Sequence, residues 1–459
     1  MKKFLPIFSL LLISFSLEIQ AQDTLQISLQ QFLDKAIANS GQIKHANTKV
    51  NLAENRVKEA KDQKYLPSLE FRSEHAAVPG VSSPNDFPEK QIYLDPDAKN
   101  DWSKIGVYTR LRISGVQPVF TWGSVNKAVH AAELAVKASE FEKDVTEAEL
   151  TARLFELYYS YVLAVEIERL LDDANSKVRQ IERSLDDATS ESDSDVDETD
   201  VYKFKIFKSQ FEIQKAEVEQ NLLFVKGVWD YVLRGEDNVT YEPSVRYLEK
   251  ETVALQTLDH YKASAFNNRP EIRGLEAGIK ALDRYIDFQK AQNLPGLYFG
   301  FTTTFASTPI RPRQPNPFIS TPENTFNTAL GFSIRQNLNL FQVKNKIERS
   351  KLEMKRTTLL KTAAQDGIML EVSEAYKDAN LADVKVQRTE EALNTSKEWV
   401  RMEQLDYDFG IGEVKDLIDA MKMELELRLK EKEYIFELNT SMVKLNKAAG
   451  LPLVQPQNN

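Results

Sequence analysis

The sequence predicts a mainly α-helical protein with a membrane β-barrel portion, built from two copies of a helix-strand-strand-helix-helix unit. Three observations predict this. Apolar residues recur at heptad spacing over very long stretches, and only 16 of 459 residues are glycine, which suits uninterrupted helices. A pattern near the start of the chain returns 229 residues later, Ile43 being matched by Ile272. After each occurrence the periodicity changes from helical to two, the signature of strands.

The chain opens on Met1-Lys2-Lys3 and an apolar run from Phe4 to Leu17, with Ala21 closing the segment. Residues 1–21 read as a secretory signal peptide, too short in its apolar part for a membrane-spanning helix. No later stretch reaches about 18 consecutive apolar residues, so a membrane crossing by the mature chain must use strands. A net charge of −10 argues against nucleic acid as a partner. The lack of cysteine excludes disulfides, thiolate metal sites and a thiol nucleophile.

The first repeat, residues 22–235, begins with one helix from Leu29 to Tyr65, seamed by Ile43, Ala46, Val50, Ala53, Val57 and Ala60. Leu66-Pro67-Ser68 ends it. In the second repeat, residues 263–450, the positions Ile272, Leu275, Ile279, Leu282 and Ile286 reproduce the seam, and Leu294-Pro295-Gly296 ends the helix. Strands follow at about 68–77 and 105–117, and again at about 297–306 and 327–338. Pro- and Asn-rich loops over 78–101 and 308–324 separate them.

Each strand has a greasy face and a polar one. Leu69 and Phe71 alternate with Glu70 and Arg72, Leu111 and Ile113 with Arg110 and Arg112, and Phe332 and Ile334 with Ser333 and Arg335. In a soluble sandwich the greasy face would pack a core. In a membrane barrel it would meet lipid, and Glu70, Arg72, Arg110, Arg112 and Arg335 would line a polar lumen. Four strands cannot close a barrel, and open edges are not tolerated in lipid. A barrel therefore requires strands pooled between copies, eight from two or twelve from three.

The helix from Ser124 to about Ala188 carries two seams. One includes Phe141, Val145, Ala152, Phe155 and Tyr159; the other includes Leu150, Leu154, Leu157 and Tyr161. They lie about 200° apart around the axis, which suits a wall of side-by-side helices rather than a two-stranded coil. Its partner in the second repeat runs from Gln342 to Asp406, and each would extend on the order of 100 Å. The chain then reverses, in an acidic turn at about 187–199 in the first repeat and at about 407–413 in the second. Return helices cover Asp200–Leu233 and Val414–Ala449. Residues 236–262 form a mixed, irregular linker, and 451–459 a C-terminal tail.

The second turn carries the most distinctive residues: Tyr407, Gly410, Gly412, and then Asp416 and Asp419, whose carboxylates fall on one face of the next helix. Acids are also ordinary at a helix start, where the dipole favours them. In the first turn, Asp186 to Asp200 holds eight acids. The spacing of Asp193, Asp195 and Asp197 is that of a calcium loop, but Glu198 stands where glycine is needed and Phe204 where a bidentate Glu is needed, so a solvated acidic turn is the better reading.

Four places carry a resemblance to the TolC family of outer-membrane efflux proteins. They are the opening Leu29-Gln30-Gln31-Phe32-Leu33-Asp34-Lys35-Ala36 with Asn39 and Leu66-Pro67; Gln117-Pro118-Val119-Phe120 leading into helix; the two-fold repeat; and Gly410/Asp416/Leu417/Asp419/Ala420 ending in Ala448-Ala449-Gly450. The resemblance spans nearly all of the mature chain. It implies a homotrimer in the outer membrane, with a shared 12-stranded barrel and a long periplasmic α-helical barrel. It implies an exit channel served by a periplasmic adaptor (membrane fusion protein) and an inner-membrane transporter. Asp416 and Asp419 would ring the periplasmic mouth as gate and selectivity residues. Tyr407 matches a position that can hold the closed state, and Thr199-Asp200-Val201 is the nearest counterpart in the first turn. Gly412 departs from the family, standing where a basic residue can latch the hairpin.

An enzyme is not expected, and no cofactor. His45, His75, His130 and His260 are scattered, and Gly410-Ile411-Gly412 lacks the third glycine of a nucleotide fingerprint. A periplasmic coiled-coil or adaptor protein is the alternative, and it leaves the duplicated amphipathic strands unexplained. Met402, Met421 and Met423 fit helix packing better than a soft-metal path. The nature of the cargo is not readable from these residues.

Overall fold

A computed structural model describes residues 23–85, 96–190, 198–234, 239–250, 255–311, 323–409 and 411–453. The expected signal peptide, the centre of the acidic turn, Gly410 and the end of the tail lie outside these residues. The elements are, in order, β1 (Asp23–Ile27), α1 (Leu29–Asn39), α2 (Gly41–Tyr65), β2 (Ser68–Ser82), β3 (Lys99–Phe120), α3 (Ser124–Ser190) and α4 (Glu198–Leu233). Then come β4 (Val239–Pro243), α5 (Leu258–Asn268), α6 (Pro270–Gln292), β5 (Gly296–Ser307), β6 (Thr325–Arg335), α7 (Leu340–Asp408) and α8 (Val414–Ala448).

Three expectations are corrected. The first helix is two. Ser40 is extended (φ −64°, ψ 123°), and its hydroxyl accepts from the Ile43 N–H at 3.4 Å, so it ends α1 and starts α2. The Asn39 side chain donates to the Leu233 carbonyl at 2.7 Å, which ties this break to the end of α4. The first hairpin is also longer than the alternation suggested. Its strands have 15 and 22 residues and stay paired to Ser82 and Lys99. Pro79-Gly80 has the composition of a loop but forms a bulge, where the register shifts and the ladder resumes. Lastly, the irregular linker is ordered along most of its described length. β4 pairs in parallel with β1, and a strap over 244–250 follows.

The described residues fall into two compact units, each drawn from both halves of the chain. The first comprises the described residues within 23–44, 146–267 and 368–453; the second comprises those within 45–145 and 268–367.

In the first unit an aromatic core fixes α1, α3 and α4. The Phe32 and Trp229 rings stack at 4.5 Å, and Tyr161 meets Trp229 edge-on at 4.8 Å. The Tyr158 hydroxyl donates to the Ile27 carbonyl of β1 at 3.2 Å, and Lys35 donates to the Tyr241 hydroxyl of β4. Tyr161 belongs to the second α3 seam and meets α4 through Trp229, whereas Tyr158, which lies in neither seam, anchors the two-stranded sheet. The strap is pinned polar group by polar group. Glu166, almost fully buried on α3, takes Lys432 of α8 at 2.9 Å and the Leu248 N–H at 2.7 Å. Asn439 donates to the Glu249 carbonyl at 2.9 Å, and Lys250 pairs with Asp383 of α7 at 3.0 Å.

The second unit holds the larger sheet, in the order β2-β3-β5-β6 and antiparallel throughout. β3 and β5 come from different halves of the chain, so the central pairing joins the two hairpins into one meander. α2 and α3 are linked by Lys49–Glu142 at 2.6 Å, and α6 and α7 by Lys361–Glu276 at 2.7 Å. These pairs are partly exposed, so they contribute little beyond register.

Two predictions follow from the first unit. Lys432→Met leaves the Glu166 carboxylate buried without its cation and should cost on the order of 3–5 kcal/mol. Adding Glu166→Gln should recover most of that loss, as read by urea unfolding in detergent. Tyr161 behaves differently. Its buried hydroxyl has no hydrogen-bond partner among the described residues, and burial, reinforced by Glu242, Asp230 and Glu168, pushes its phenol above the usual tyrosine range. A raised folded-state value means stability that is full below about pH 10 and lost as pH rises above it. Tyr161→Phe should therefore raise stability by about 1 kcal/mol at neutral pH and flatten the alkaline loss.

Candidate functional site: an amphipathic sheet and an acidic hairpin

Directly opposed residues of an antiparallel sheet share a face, so the register assigns every strand side chain. On one face lie Leu69 and Phe71 of β2, Ile105, Val107, Leu111 and Ile113 of β3, Leu297, Phe299, Phe301 and Phe305 of β5, and Phe326, Leu330, Phe332 and Ile334 of β6. This apolar face is uncovered: Phe326 is 74 % exposed and Ile334 76 %. Burying one such side chain is worth about 1.5–3 kcal/mol, and a continuous exposed field of them marks an interaction surface. Gly115 makes room within it. A Cβ there would fall 2.3 Å from the Phe301 ring, so the ring lies across β3 only because position 115 has no side chain.

The other face is polar. The register places Glu70, Arg72, Arg110, Arg112 and Arg335 together on it, with Tyr298, Thr302, Thr304, Asn327 and Ser333. Arg72 pairs with Glu70 at 3.0 Å and Arg110 with Glu74 at 3.5 Å. Arg335 sits over the Tyr298 ring at 5.4 Å. β2 and β6 bound the sheet, each with one ladder edge unpaired within this chain.

The second candidate, in the other unit, is the α7–α8 hairpin. The Asp406 carbonyl accepts from the Ile411 and Gly412 N–H groups at 3.0 and 2.9 Å, closing the end of α7. Gly412 lies against this closure. A Cβ there would stand 2.9 Å from the Asp406 carbonyl carbon and the Tyr407 nitrogen. A side chain at this position would force the closure to shift. Glu413 is the cap residue of α8, Asp416 lies in its first turn, and Asp419 is one turn further on. Asp419 is exposed and Asp416 partly so, and neither carboxylate makes a hydrogen bond or ion pair among the described residues. Their neighbours Leu417, Ile418 and Ala420 are buried.

That burial comes from the first hairpin. Ile418 packs with Val178 and Leu185 of α3 and Phe204 of α4, and Val414 packs on the same cluster. One layer further along, Leu429 packs with Leu171 and Phe211. Phe204 is thus a core residue. The acids of 416 and 419 are held outward because the intervening residues are held inward. Tyr407 is partly buried, its hydroxyl making no hydrogen bond among the described residues, and Asp200 lies in the first turn of α4. Phe409 and Ile411 are 77 and 78 % exposed at the turn. Met421 lines a cavity of about 50 Å³ beside Ile181 and Phe207, whereas Met402 is exposed. No group of three or more His, Cys, Asp or Glu able to hold a metal occurs among the described residues.

No protein-family model matches the sequence, and no curated protein matches it. Solved structures do match the whole arrangement. The CmeC outer membrane channel of Campylobacter jejuni covers 92 % of this chain and 85 % of its own, with a TM-score of 0.70 at 14 % identity. The open state of the Neisseria gonorrhoeae MtrE outer membrane channel covers 93 and 89 %, with a TM-score of 0.70 at 15 % identity. The fold is that of the outer-membrane channels. The outer membrane protein VceC of Vibrio cholerae shares it as well, at a TM-score of 0.66 and 13 % identity over 93 % of this chain and 97 % of that one. At these identities the likeness speaks for the fold, and the charged and acidic residues have to be argued from their own geometry.

The hairpin closure makes a prediction. Gly412→Lys places side-chain atoms against the α7 backbone and should destabilise the turn by about 1–3 kcal/mol without forming a latch. Hydrogen exchange of residues 405–416 should quicken while the aromatic core of the same unit is unchanged.

Proposed function

We propose that this protein is an outer-membrane exit channel of an export system: a passive duct through the outer membrane and periplasm, gated at its acidic periplasmic tip. One observation carries the reading. The four-stranded sheet has an uncovered apolar face, a charged opposite face and unpaired outer edges. In water each of these features is a liability. In a bilayer, lipid covers the apolar face, and the edge strands pair with those of neighbouring copies. The described residues contain no helix long and apolar enough to cross a membrane, so the sheet is the segment available for the task.

A homotrimer would pool four strands from each copy into a closed 12-stranded barrel. The duplicated unit supplies each copy with two strand hairpins and two long helical hairpins, and a secretory signal over 1–21 would direct the chain out of the cytoplasm. Asp416 and Asp419, repeated about the axis, would crowd six carboxylates at the mouth. Such a ring attracts cations, repels anions and invites block by multivalent cations. Exposed Phe409 and Ile411 beside it offer apolar contact to a periplasmic adaptor, which would couple the duct to an inner-membrane transporter. Adaptor contact would bias the splaying of the hairpins that opens the mouth.

The absence of cysteine makes the test direct. Asp419→Cys in intact cells, treated with a bifunctional thiol reagent, should give a cross-linked trimer in the outer-membrane fraction with export lost. Protein released without detergent, or labelled but never cross-linked with export intact, would sink the gated-duct reading.

A further inference from the structure

We propose that the arginines on the polar face of the sheet form an anion-selective girdle, and that the cargo carries anionic groups such as carboxylate, phosphate or sulfonate. The inference rests on the duct reading above and deepens it.

The register places Arg72 of β2 directly opposite Arg112 of β3, and the same row continues into Thr304 of β5 and Asn327 of β6. Like charges directly opposed on a sheet repel and destabilise the pair. Arg72 has Glu70 beside it, and Arg110 has Glu74. Arg112 has no carboxylate partner among the described residues, and its buried Nε finds no acceptor. Arg335 likewise has only the ring of Tyr298. Between the ends of the helices and the Pro79-Gly80 bulge this face therefore carries Arg72, Arg110, Arg112 and Arg335 against Glu70 and Glu74. It is net basic in a chain whose total charge is −10.

No acidic side chain among the described residues is placed to neutralise Arg112. An unneutralised guanidinium next to a second one is an arrangement that a passing anion relieves. The planar donor fork binds carboxylate and phosphate oxygens in pairs, and Thr304 and Asn327 continue the line of polar groups. Closure by three copies would set six such arginines at one level of a narrow lumen, where low-dielectric walls focus the potential. The tip acids lie on hairpins that separate when the mouth opens. The arginines lie on a hydrogen-bonded sheet and stay in place, so they are the filter that persists in the conducting state.

The full chain, purified in detergent and inserted into planar bilayers under a KCl gradient, supplies the test. An Asp416→Ala/Asp419→Ala background removes the tip charge. In that background the reversal potential should report a preference for chloride over potassium, and millimolar pyrophosphate should reduce the current. Arg72→Gln/Arg112→Gln should lower the chloride preference several-fold and abolish the block. Arg112→Lys, which keeps the charge, should retain the preference and weaken the block. Potassium selectivity in the tip-neutralised channel, or a reversal potential unmoved by the double Gln variant, overturns the girdle alone. Complete lack of conductance overturns the duct reading and the girdle with it.

Discussion

The unpaired edges of β2 and β6, together with the bare apolar face between them, are the constraint on which the rest depends. A backbone N–H or C=O left without a partner in lipid costs several kcal/mol, so a sheet with two such edges has no stable existence there alone. Another copy of the same sheet is the simplest source of matching edges. The apolar face adds the second condition, since the aromatic and aliphatic side chains at most outward positions of β5 and β6 need a non-aqueous cover. The proposed trimeric duct meets both conditions at once, and it places the charged face on water.

The helical part meets a different demand. α3 carries apolar residues on more than one side, because it has neighbours on more than one side. In the first unit α3 presents Leu171, Val178 and Leu185 to α4 and α8, and Tyr158 and Tyr161 to the aromatic core around Trp229. The strap over 244–250 is held there by polar groups rather than by bulk. Glu166 is buried only because Lys432 and the Leu248 N–H meet it. At the tip, the small size of Gly412 permits the closure on Asp406 that turns α7 into α8, and the packing of Ile418 on Phe204 sets the direction in which the acids point.

Much of this was legible in the sequence, and for a simple reason. Period two in Leu69-Glu70-Phe71-Arg72 and in Phe332-Ser333-Ile334-Arg335 is a property of neighbouring residues, so strand identity and the two faces can be read locally. Heptad seams marked the long helices on the same grounds. The ends of elements were less legible. Ser40 interrupts a continuous seam with a cap that periodicity does not register, and Pro79-Gly80 looks like the start of a loop although the ladder resumes beyond it. The linker between the halves has no periodicity at all. Its order comes from Glu166, Asp383 and Asn439, all distant in the chain.

Local pattern was enough to read the class of each segment, the order of elements, the amphipathic character of four strands and the position of paired acids at a helix start. These follow from spacing along the chain. The fold had to supply the rest: that β3 pairs with β5, that Glu70, Arg72, Arg110, Arg112 and Arg335 share one face of one sheet, that Arg72 stands opposite Arg112, and that a side chain at position 412 would meet the α7 backbone. Each of these depends on which distant segments meet and in what register. A one-residue change of register would turn every side chain to the opposite face without altering the local pattern.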